Sequence, residues 1–301
     1  MTSIILLFLC LFLGVGLQHV KAFPNNTHVV LNQFVIYISL PAMALHYLPT
    51  IEFSKELIFP IAMPWIGFVL AFLLFAGLGK IFGWSKSLIG CLILTGGLGN
   101  TSFVGIPVIE AIYGQEGLKT LIMVDLPGTF VVLSTLGIII ATIYSRGKNN
   151  FKIIFIKIFS FPPFIVFIIG VLLNVLNVAI PQNIDDVFSK LSATITPIAL
   201  VSVGYQLKIN KRSKHWGFLI LGLSYQLLIL PAFIYFLYVV VFQQKGIDIN
   251  VTIMEAAMAP MITATIVASS YGLKPKLSNM MVGIGIPVSF VTMAVWYLIL
   301  K

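Results

Sequence analysis

Residues 99–114 read Gly-Asn-Thr-Ser-Phe-Val-Gly-Ile-Pro-Val-Ile-Glu-Ala-Ile-Tyr-Gly and lie within an apolar stretch long enough to cross a membrane. Pro107 removes a backbone donor and clashes with the preceding turn, so we expect the helix to break or kink there. Backbone groups freed at membrane depth persist only where they line a cavity or are buried in protein. A break beside Asn100 therefore predicts a half-helix N-terminus and a side-chain amide that face an anion. The alternative is a proline kink satisfied by a neighbouring helix, with small residues for close packing.

The two halves of the chain repeat one another at an offset of 156 to 158 residues. Each half also contains five hydrophobic spans, so the second copy starts on the opposite side of the membrane from the first. Inverted repeats are typical of secondary transporters that alternate access around a central site. We therefore divide the chain into a first five-helix repeat, 1–150, and a second, inverted five-helix repeat, 151–301. The matching landmarks are Gly14-Val15 with Gly170-Val171, Pro24 with Pro181, Pro41 with Pro197, and Tyr113-Gly114 with Tyr271-Gly272.

Composition places the chain among integral membrane proteins. Hydrophobic residues make up 59% of it, charged residues make up 9%, and its mean hydropathy is +1.07. A soluble globule could not keep a polar surface with so few charged side chains. Cys10 and Cys91 both lie in apolar spans, so the sequence predicts no disulfide framework, no metal site and no cofactor.

Ten apolar spans can be placed, with several residues of error at each end. The first span has the length of a signal peptide. It lacks a basic n-region, however, and its internal copy around Gly170 lies mid-chain and cannot be cleaved. The sequence therefore predicts ten transmembrane helices. They run at roughly 3–20, 28–48, 57–82, 86–113, 118–145, 153–178, 186–207, 215–242, 250–271 and 276–300.

Basic residues in the loops give the orientation. The loops after the odd-numbered spans contain 13 Lys and Arg residues, whereas the loops after the even-numbered spans contain 4. The positive-inside rule then places the odd loops in the cytoplasm and both termini outside. The net charge of +9 is thus a topology signal and does not indicate nucleic-acid binding.

The motif in the fourth span begins with Asn100-Thr101, continues after three residues with Gly105-Ile106-Pro107, and ends at Tyr113-Gly114. It resembles the auxin efflux carrier family, which includes plant PIN proteins and bacterial organic-acid permeases. The resemblance covers the whole chain, although the segment from Pro260 to Tyr271 is shorter than the family pattern and leaves the register of helix-9 site residues open. The further matches are Pro41 with His46-Tyr47 in span 2, Pro197 with Gly204 in span 7, and Pro260 in span 9.

The resemblance implies an all-α membrane protein in which broken helices 4 and 9 cross near the membrane midplane. It also implies a cargo of small organic acids such as malate or malonate. No Arg lies inside a span to clamp a carboxylate, so recognition falls to helix termini, amides and hydroxyls, Thr265 among them. The expected substrate-binding residues are Asn100, Thr101, Pro107, Pro260, Met261 and Thr263.

Ionisable residues inside the spans are the candidates for coupling. A charged side chain at the bilayer centre costs about 2.5 to 3.5 kcal/mol on insertion scales, so such residues tend to be functional. Asp125 in span 5 is the first candidate for proton coupling, and an Asp at the outer interface with water access is the alternative. Glu255 is either functional or part of an outer vestibule. His46 could carry a proton or serve as a hydrogen-bonded packing residue, and Glu110 is expected at the hydrated outer end of span 4.

Other function classes fit the sequence less well. The motifs His-Glu-x-x-His and Gly-x-Ser-x-Gly are absent, and the adjacent acidic pair Asp185-Asp186 lies in a loop, so an intramembrane enzyme is not indicated. A sodium-coupled organic-anion symporter of similar fold, a channel and a receptor remain alternatives. We expect a secondary carrier in the cell membrane whose partners are a small organic anion, protons and the lipid bilayer. A homodimer is left open.

Overall fold

The computed structural model describes residues 2–51, 57–145, 162–206 and 215–301. Within these ranges the regular structure is helical, apart from one β-bridge between Gly99 and Pro260. The expected all-α class is therefore confirmed. The α-helices are α1 (Thr2–Leu17), α2 (Thr27–Phe34), α3 (Leu40–Tyr47), α4 (Ile58–Ile81), α5 (Lys86–Gly96), α6 (Ile106–Val124), α7 (Ile138–Tyr144), α8 (Pro162–Val175), α9 (Gln182–Ser192), α10 (Ile195–Gln206), α11 (Trp216–Ser224), α12 (Leu230–Tyr235), α13 (Ile247–Ala256), α14 (Ile262–Ser270) and α15 (Pro275–Leu300).

Six helical stretches in the described ranges are long and apolar enough to cross a membrane. Several of them join consecutive α-helices through π turns, and the stretch Thr101–Tyr144 is kinked at Gly114, whose backbone is not helical. Shorter apolar helices lie at Phe8–Leu17, Lys86–Gly96 and Ile165–Val175. The start of the predicted sixth span, the basic residues between 146 and 161 and between 208 and 214, and Lys55 lie outside the described residues. The six long stretches are Thr27–Thr50, Ile58–Ile81, Thr101–Tyr144, Gln182–Tyr205, Trp216–Val241 and Pro275–Leu300.

Three prolines inside these stretches follow π turns rather than breaks. Pro41, Pro107 and Pro231 are each the second residue of an α-helix that follows a π turn. A π turn inserts an extra residue, which shifts the carbonyl that the proline ring would otherwise meet. Of the expected break or kink at Pro107, the break is therefore absent, and the break of the fourth span lies before Thr101. The π turns before these prolines are Val35–Ser39, Thr101–Gly105 and Tyr225–Ile229, and others occur at Asp125–Phe130, Leu133–Gly137 and Phe236–Val241.

Two breaks in the helices lie next to each other. The first separates α5 from the π turn that begins at Thr101, and the second separates α13 from α14. Their backbones pair: the amide of Asn100 donates to the carbonyl of Ala259 at 2.7 Å, and the amide of Met261 donates to the carbonyl of Leu98 at 2.9 Å. Each break thus satisfies backbone groups that the other leaves free, which allows non-helical backbone to exist away from water.

The helices pack into two groups. In the first helix group α1 and α2 pack on α10, while α3 packs on α8 and α9. In the second helix group α4 packs on α5, α6 and α13, and α14 packs on α5 and α15. Both breaks belong to the second helix group. The groups meet where α10 lies against the π turn at Thr101–Gly105, so the breaks face the boundary between the groups.

Candidate functional site

A small cavity, which we call the crossing cavity, lies beside the two breaks. Its volume is about 20 Å³, room for about one water molecule. The half-helices that begin at Thr101 and Ile262 both start at this cavity, so two positive helix ends point toward it. Its lining includes Asn100, Ser102, Phe103, Asp125, Met261 and Thr263.

Asn100 presents an unused donor at this position. Its Oδ1 accepts a hydrogen bond from the backbone amide of Phe103 at 3.1 Å and so caps the half-helix. Its Nδ2 is buried and has no hydrogen-bond partner among the described residues. A buried amide donor without a partner is costly, and a ligand oxygen in the crossing cavity would satisfy it.

Asp125 lies against the same half-helix. Its Oδ1 accepts hydrogen bonds from Thr101 Oγ1 at 2.5 Å and from Ser102 Oγ at 2.6 Å. The side chain is 2% exposed, so the alternative of a water-exposed interfacial Asp does not fit the structure. The hydroxyl of Thr101, expected to contact substrate, is instead bound to this carboxylate.

Glu255 is more deeply enclosed than the sequence suggested. It lies in the last turn of α13 beside the break, it is 0% exposed, and neither carboxyl oxygen has a hydrogen-bond partner in the described ranges. Because α13 begins at Ile247, earlier than the predicted span, Glu255 lies farther from the helix start than expected. The outer-vestibule alternative is therefore wrong.

The remaining predicted residues divide into two sets. Pro260 lies in the second break and pairs with Gly99, close to Met261 and Thr263. Pro107 is buried in α6, and the crossing cavity does not include it in its lining. His46 also lies elsewhere, where its Nδ1 is 2.7 Å from Asp185 Oδ1.

Gln226 is a buried residue beside the breaks that the sequence did not single out. Its Nε2 donates to the carbonyl of Met258 at 3.2 Å and lies 3.5 Å from the carbonyl of Ala256, so it caps backbone freed by the second break. Its Oε1 has no hydrogen-bond partner among the described residues. An uncharged amide within the apolar eighth span was the available signal, but outside the fourth and ninth spans only ionisable residues were candidates.

A much larger cavity, the wide cavity, approaches the breaks from one end of the molecule. Its volume is about 590 Å³, within the range of small-molecule sites. It lies between the start of α2, the end of α10, α14 and the start of α15, and Ile36 lines both this cavity and the crossing cavity. Its polar lining includes His28, Asn32, Gln33, Thr265 and Asn279.

The opposite approach holds a cavity of about 70 Å³, the closed cavity. Here Tyr47 donates a hydrogen bond to Gln115, and Thr196 Oγ1 donates to Glu110 Oε2 at 2.7 Å. Both bonds join the first helix group to the second. Glu110, expected to be simply hydrated, is half-buried and takes part in this contact.

Comparison with known proteins decides the class of the molecule. Residues 1–297 match a family described as membrane transport protein. The chain belongs to this family, the auxin efflux carrier family. The resemblance drawn from the fourth span is thereby confirmed. The protein is a membrane transporter with several apolar helices, as a multi-pass protein requires.

Two archaeal relatives agree with this assignment. An uncharacterised transporter of Methanocaldococcus jannaschii is 29% identical over 278 residues, which cover 89% of this chain and 88% of the relative. An uncharacterised transporter of Methanothermobacter thermautotrophicus is 29% identical over 205 residues, 67% of this chain and 65% of the relative. Both relatives are described as transporters without a stated cargo.

Proposed function

We propose that this transporter is a secondary carrier that moves a small organic acid anion, a mono- or dicarboxylate, by alternating access around the crossing cavity. The observation that carries this proposal is the unpartnered Nδ2 of Asn100 at the point where two half-helix N-termini start. Helix N-termini attract anions through their free amides and their positive dipole ends. The half-helix N-terminus at Thr101 already has the carboxylate of Asp125 beside it. The substrate carboxylate therefore binds at the half-helix N-terminus at Ile262, beside Met261 and Thr263.

Neutral groups provide the recognition in this proposal. Among the described residues, no Lys or Arg lines the crossing cavity or the wide cavity. Each helix N-terminus corresponds to about half an elementary charge, which suits one carboxylate held by an amide and hydroxyls. This environment favours small organic acids over multiply charged phosphates, and we assign no catalytic step to the protein.

Coupling to protons is the energy source we favour, and Asp125, Glu255 and His46 are the candidate groups. Asp125 lines the crossing cavity, and Ile36 connects that cavity with the wide cavity. A sodium-coupled symporter is the second candidate, because carbonyls at broken helices can bind sodium. A sodium gradient that drives uptake at equal pH would favour this second candidate.

The architecture we propose is two inverted five-helix repeats, 1–150 and 151–301, with helices 4 and 9 broken and crossing. The paired breaks support it. So do Gly114 and Gly272, landmarks of the sequence repeat, which both have positive φ values, 65° and 71°. The positive-inside rule places the wide cavity on the cytoplasmic side and both termini outside.

A thermal-shift screen of the purified protein against mono- and dicarboxylates tests the proposed cargo, since a ligand that binds the folded state raises its apparent stability. Asn100→Ser is the matched variant, because serine keeps a cap acceptor but lacks the amide donor. We expect a stabilising acid whose Kd rises about tenfold or more in this variant, as a lost hydrogen bond to a charged group predicts. If no acid stabilises the protein, or if Asn100→Ser binds it equally well, the proposal fails.

A further inference from the structure

The carboxyl group of Glu255 lies in surroundings that disfavour a negative charge. It is 0% exposed, and none of the described residues donates a hydrogen bond to either oxygen. It also belongs to the last turn of α13, where the helix dipole is negative. An unpaired negative charge in such a place is strongly destabilising, so the carboxyl group needs a bound cation.

Glu255 and Asp125 flank the same π turn. Thr101 and Ser102 at its start donate to Asp125, while Gly105 at its end lies against Glu255. A methyl group on Gly105 would lie 2.6 Å from Glu255 Oε1 and 2.8 Å from Oε2. The two carboxyl groups are therefore linked through a single five-residue π turn. Since two neighbouring carboxyls in a dry site do not both ionise, the two hydroxyl donors make Asp125 the anion and Glu255 the acid.

The other titratable groups near α13 do not provide a counter-ion for Glu255. The helices packed against α13 are α4, α6, α12 and α15. Asp125, across the π turn, is itself acidic, and Asp248 on α13 accepts a hydrogen bond from Thr120. The remaining titratable residues of the four packed helices are Lys80, Glu110, Tyr113, Glu116, Lys119, Tyr235, Lys276 and Tyr297.

The bound cation fits a proton better than a sodium ion. Sodium at a broken helix would need the carbonyl oxygens freed by the break. Here Gln226 Nε2 lies 3.2 Å from the carbonyl oxygen of Met258 and 3.5 Å from the carbonyl oxygen of Ala256. The contact with Gly105 leaves little space at the carboxyl oxygens. A proton needs one oxygen and no cavity.

From these contacts we propose that Glu255 is the site that holds the coupling proton and that Asp125 relays this proton between Glu255 and the wide cavity. The inference rests on the proposed carrier function. It assigns proton binding to Glu255 and proton transfer to Asp125. In each transfer one O–H bond breaks and another forms on the accepting oxygen, which is a carboxylate oxygen of Glu255 or Asp125 or the oxygen of a water molecule in the wide cavity. Glu255 must be neutral in the packing seen here, so its protonation favours this conformation over any that wets the carboxyl group.

Infrared spectroscopy of the protein in lipid bilayers tests the site without any knowledge of the substrate. We expect the carbonyl band of a buried carboxylic acid at neutral pH, lost in Glu255→Gln and kept in Asp125→Asn. In heavy water the band should shift by exchange with deuterium, more slowly in Asp125→Asn because the relay is missing. Absence of the band in the native protein, its persistence in Glu255→Gln, or unchanged exchange in Asp125→Asn would overturn the proposal.

Two controls distinguish a proton from a sodium ion and test the placement of Glu255. Sodium chloride added at constant pH should leave the band unchanged, and its disappearance would identify a sodium site. Gly105→Ala should shift the band because its methyl group would press on the carboxyl group, whereas Gly77→Ala, with nothing within 4 Å of the new methyl, should not. An equal response of the two variants would contradict the placement of Glu255. These results are independent of the thermal-shift screen, so failure of the cargo proposal would be recognised separately.

Discussion

The two ends of the molecule approach the crossing cavity in different ways. At one end the wide cavity, of about 590 Å³, extends to Ile36, which also lines the crossing cavity. At the other end the closed cavity has a volume of only about 70 Å³. A half-helix that follows one of the two breaks lines each end. The wide cavity is lined by α14, which follows the second break, and the closed cavity is lined by α6, which continues the half-helix after the first break. Access from a single end is what a carrier with alternating access requires, whereas a channel needs a continuous path.

Hydrogen bonding explains the difference. At the closed cavity, Tyr47 with Gln115 and Thr196 with Glu110 join the two helix groups. At the wide cavity, Ser202 Oγ donates to Asn32 Oδ1 at 2.5 Å, and both residues belong to the first helix group. Thr265 on α14 has no hydrogen-bond partner for its hydroxyl among the described residues. The hydrogen bonds at the closed cavity thus join the two groups, whereas the bond from Ser202 to Asn32 at the wide cavity stays within the first group.

The largest expected effect comes from Asp125, which lies between the two ends. Asp125→Asn removes the carboxylate that would relay the proton, while an amide can still accept hydrogen bonds from Thr101 and Ser102. We expect this variant to exchange substrate between two filled faces but to lose accumulation driven by a pH gradient. Proteoliposome uptake with and without the gradient measures both. Accumulation with an unchanged pH dependence would make Asp125 structural.

Cysteine labelling measures the asymmetry directly. Asn279→Cys lies in the wide cavity and Ser192→Cys in the closed cavity, while the native Cys10 and Cys91 are buried and give little background. We expect a membrane-impermeant maleimide to label Asn279→Cys rapidly, from the cytoplasmic side alone, and Ser192→Cys slowly, from the outside alone. Labelling of both from one side would contradict the proposed topology, and equal rates would contradict the asymmetry.

Loosening the closed end should produce a moderate change. Tyr47→Phe removes the hydrogen bond to Gln115, a loss of about 0.5 to 1.5 kcal/mol, or roughly two- to tenfold in the population of the state open at that end. The labelling rate of Ser192→Cys should rise by this factor. Tyr37→Phe is the matched control, since Tyr37 lines the wide cavity and is 59% exposed. An equal rise in the control would show that the bond does not hold the end closed.

The smallest effect is expected at His46. Its contact with Asp185 joins α3 to α9 within the first helix group, and the two side chains are 22% and 26% exposed. A partly exposed pair of this kind contributes about 0.2 to 1 kcal/mol. His46→Gln should therefore change thermal stability slightly and leave the pH dependence of transport unchanged. A lost pH dependence would place His46 in the coupling path.

The sequence predicts the parts of this site that depend on local chemistry. The sequence singled out Asn100 as an amide beside a break in the fourth span and Asp125 as an acid inside the fifth, because unsatisfied polar groups have few places inside a membrane protein. The break lies before Thr101 and not at Pro107, because a π turn before Pro107 moves the clashing carbonyl away from the proline ring. Tertiary contacts decided the rest: the burial of Glu255, the role of Gln226 and the bond from Tyr47 to Gln115 all depend on helices distant in the chain.

Counterflow in proteoliposomes tests the carrier proposal most directly. Vesicles loaded with unlabelled organic acid, chosen as the most stabilising acid of the thermal screen, are diluted into a trace of the labelled acid. We predict a transient accumulation of label inside the vesicles that is strongly reduced in Asn100→Ser. Simple equilibration of the label without an overshoot would mean a channel, and an undiminished overshoot in Asn100→Ser would contradict a binding site at the crossing cavity.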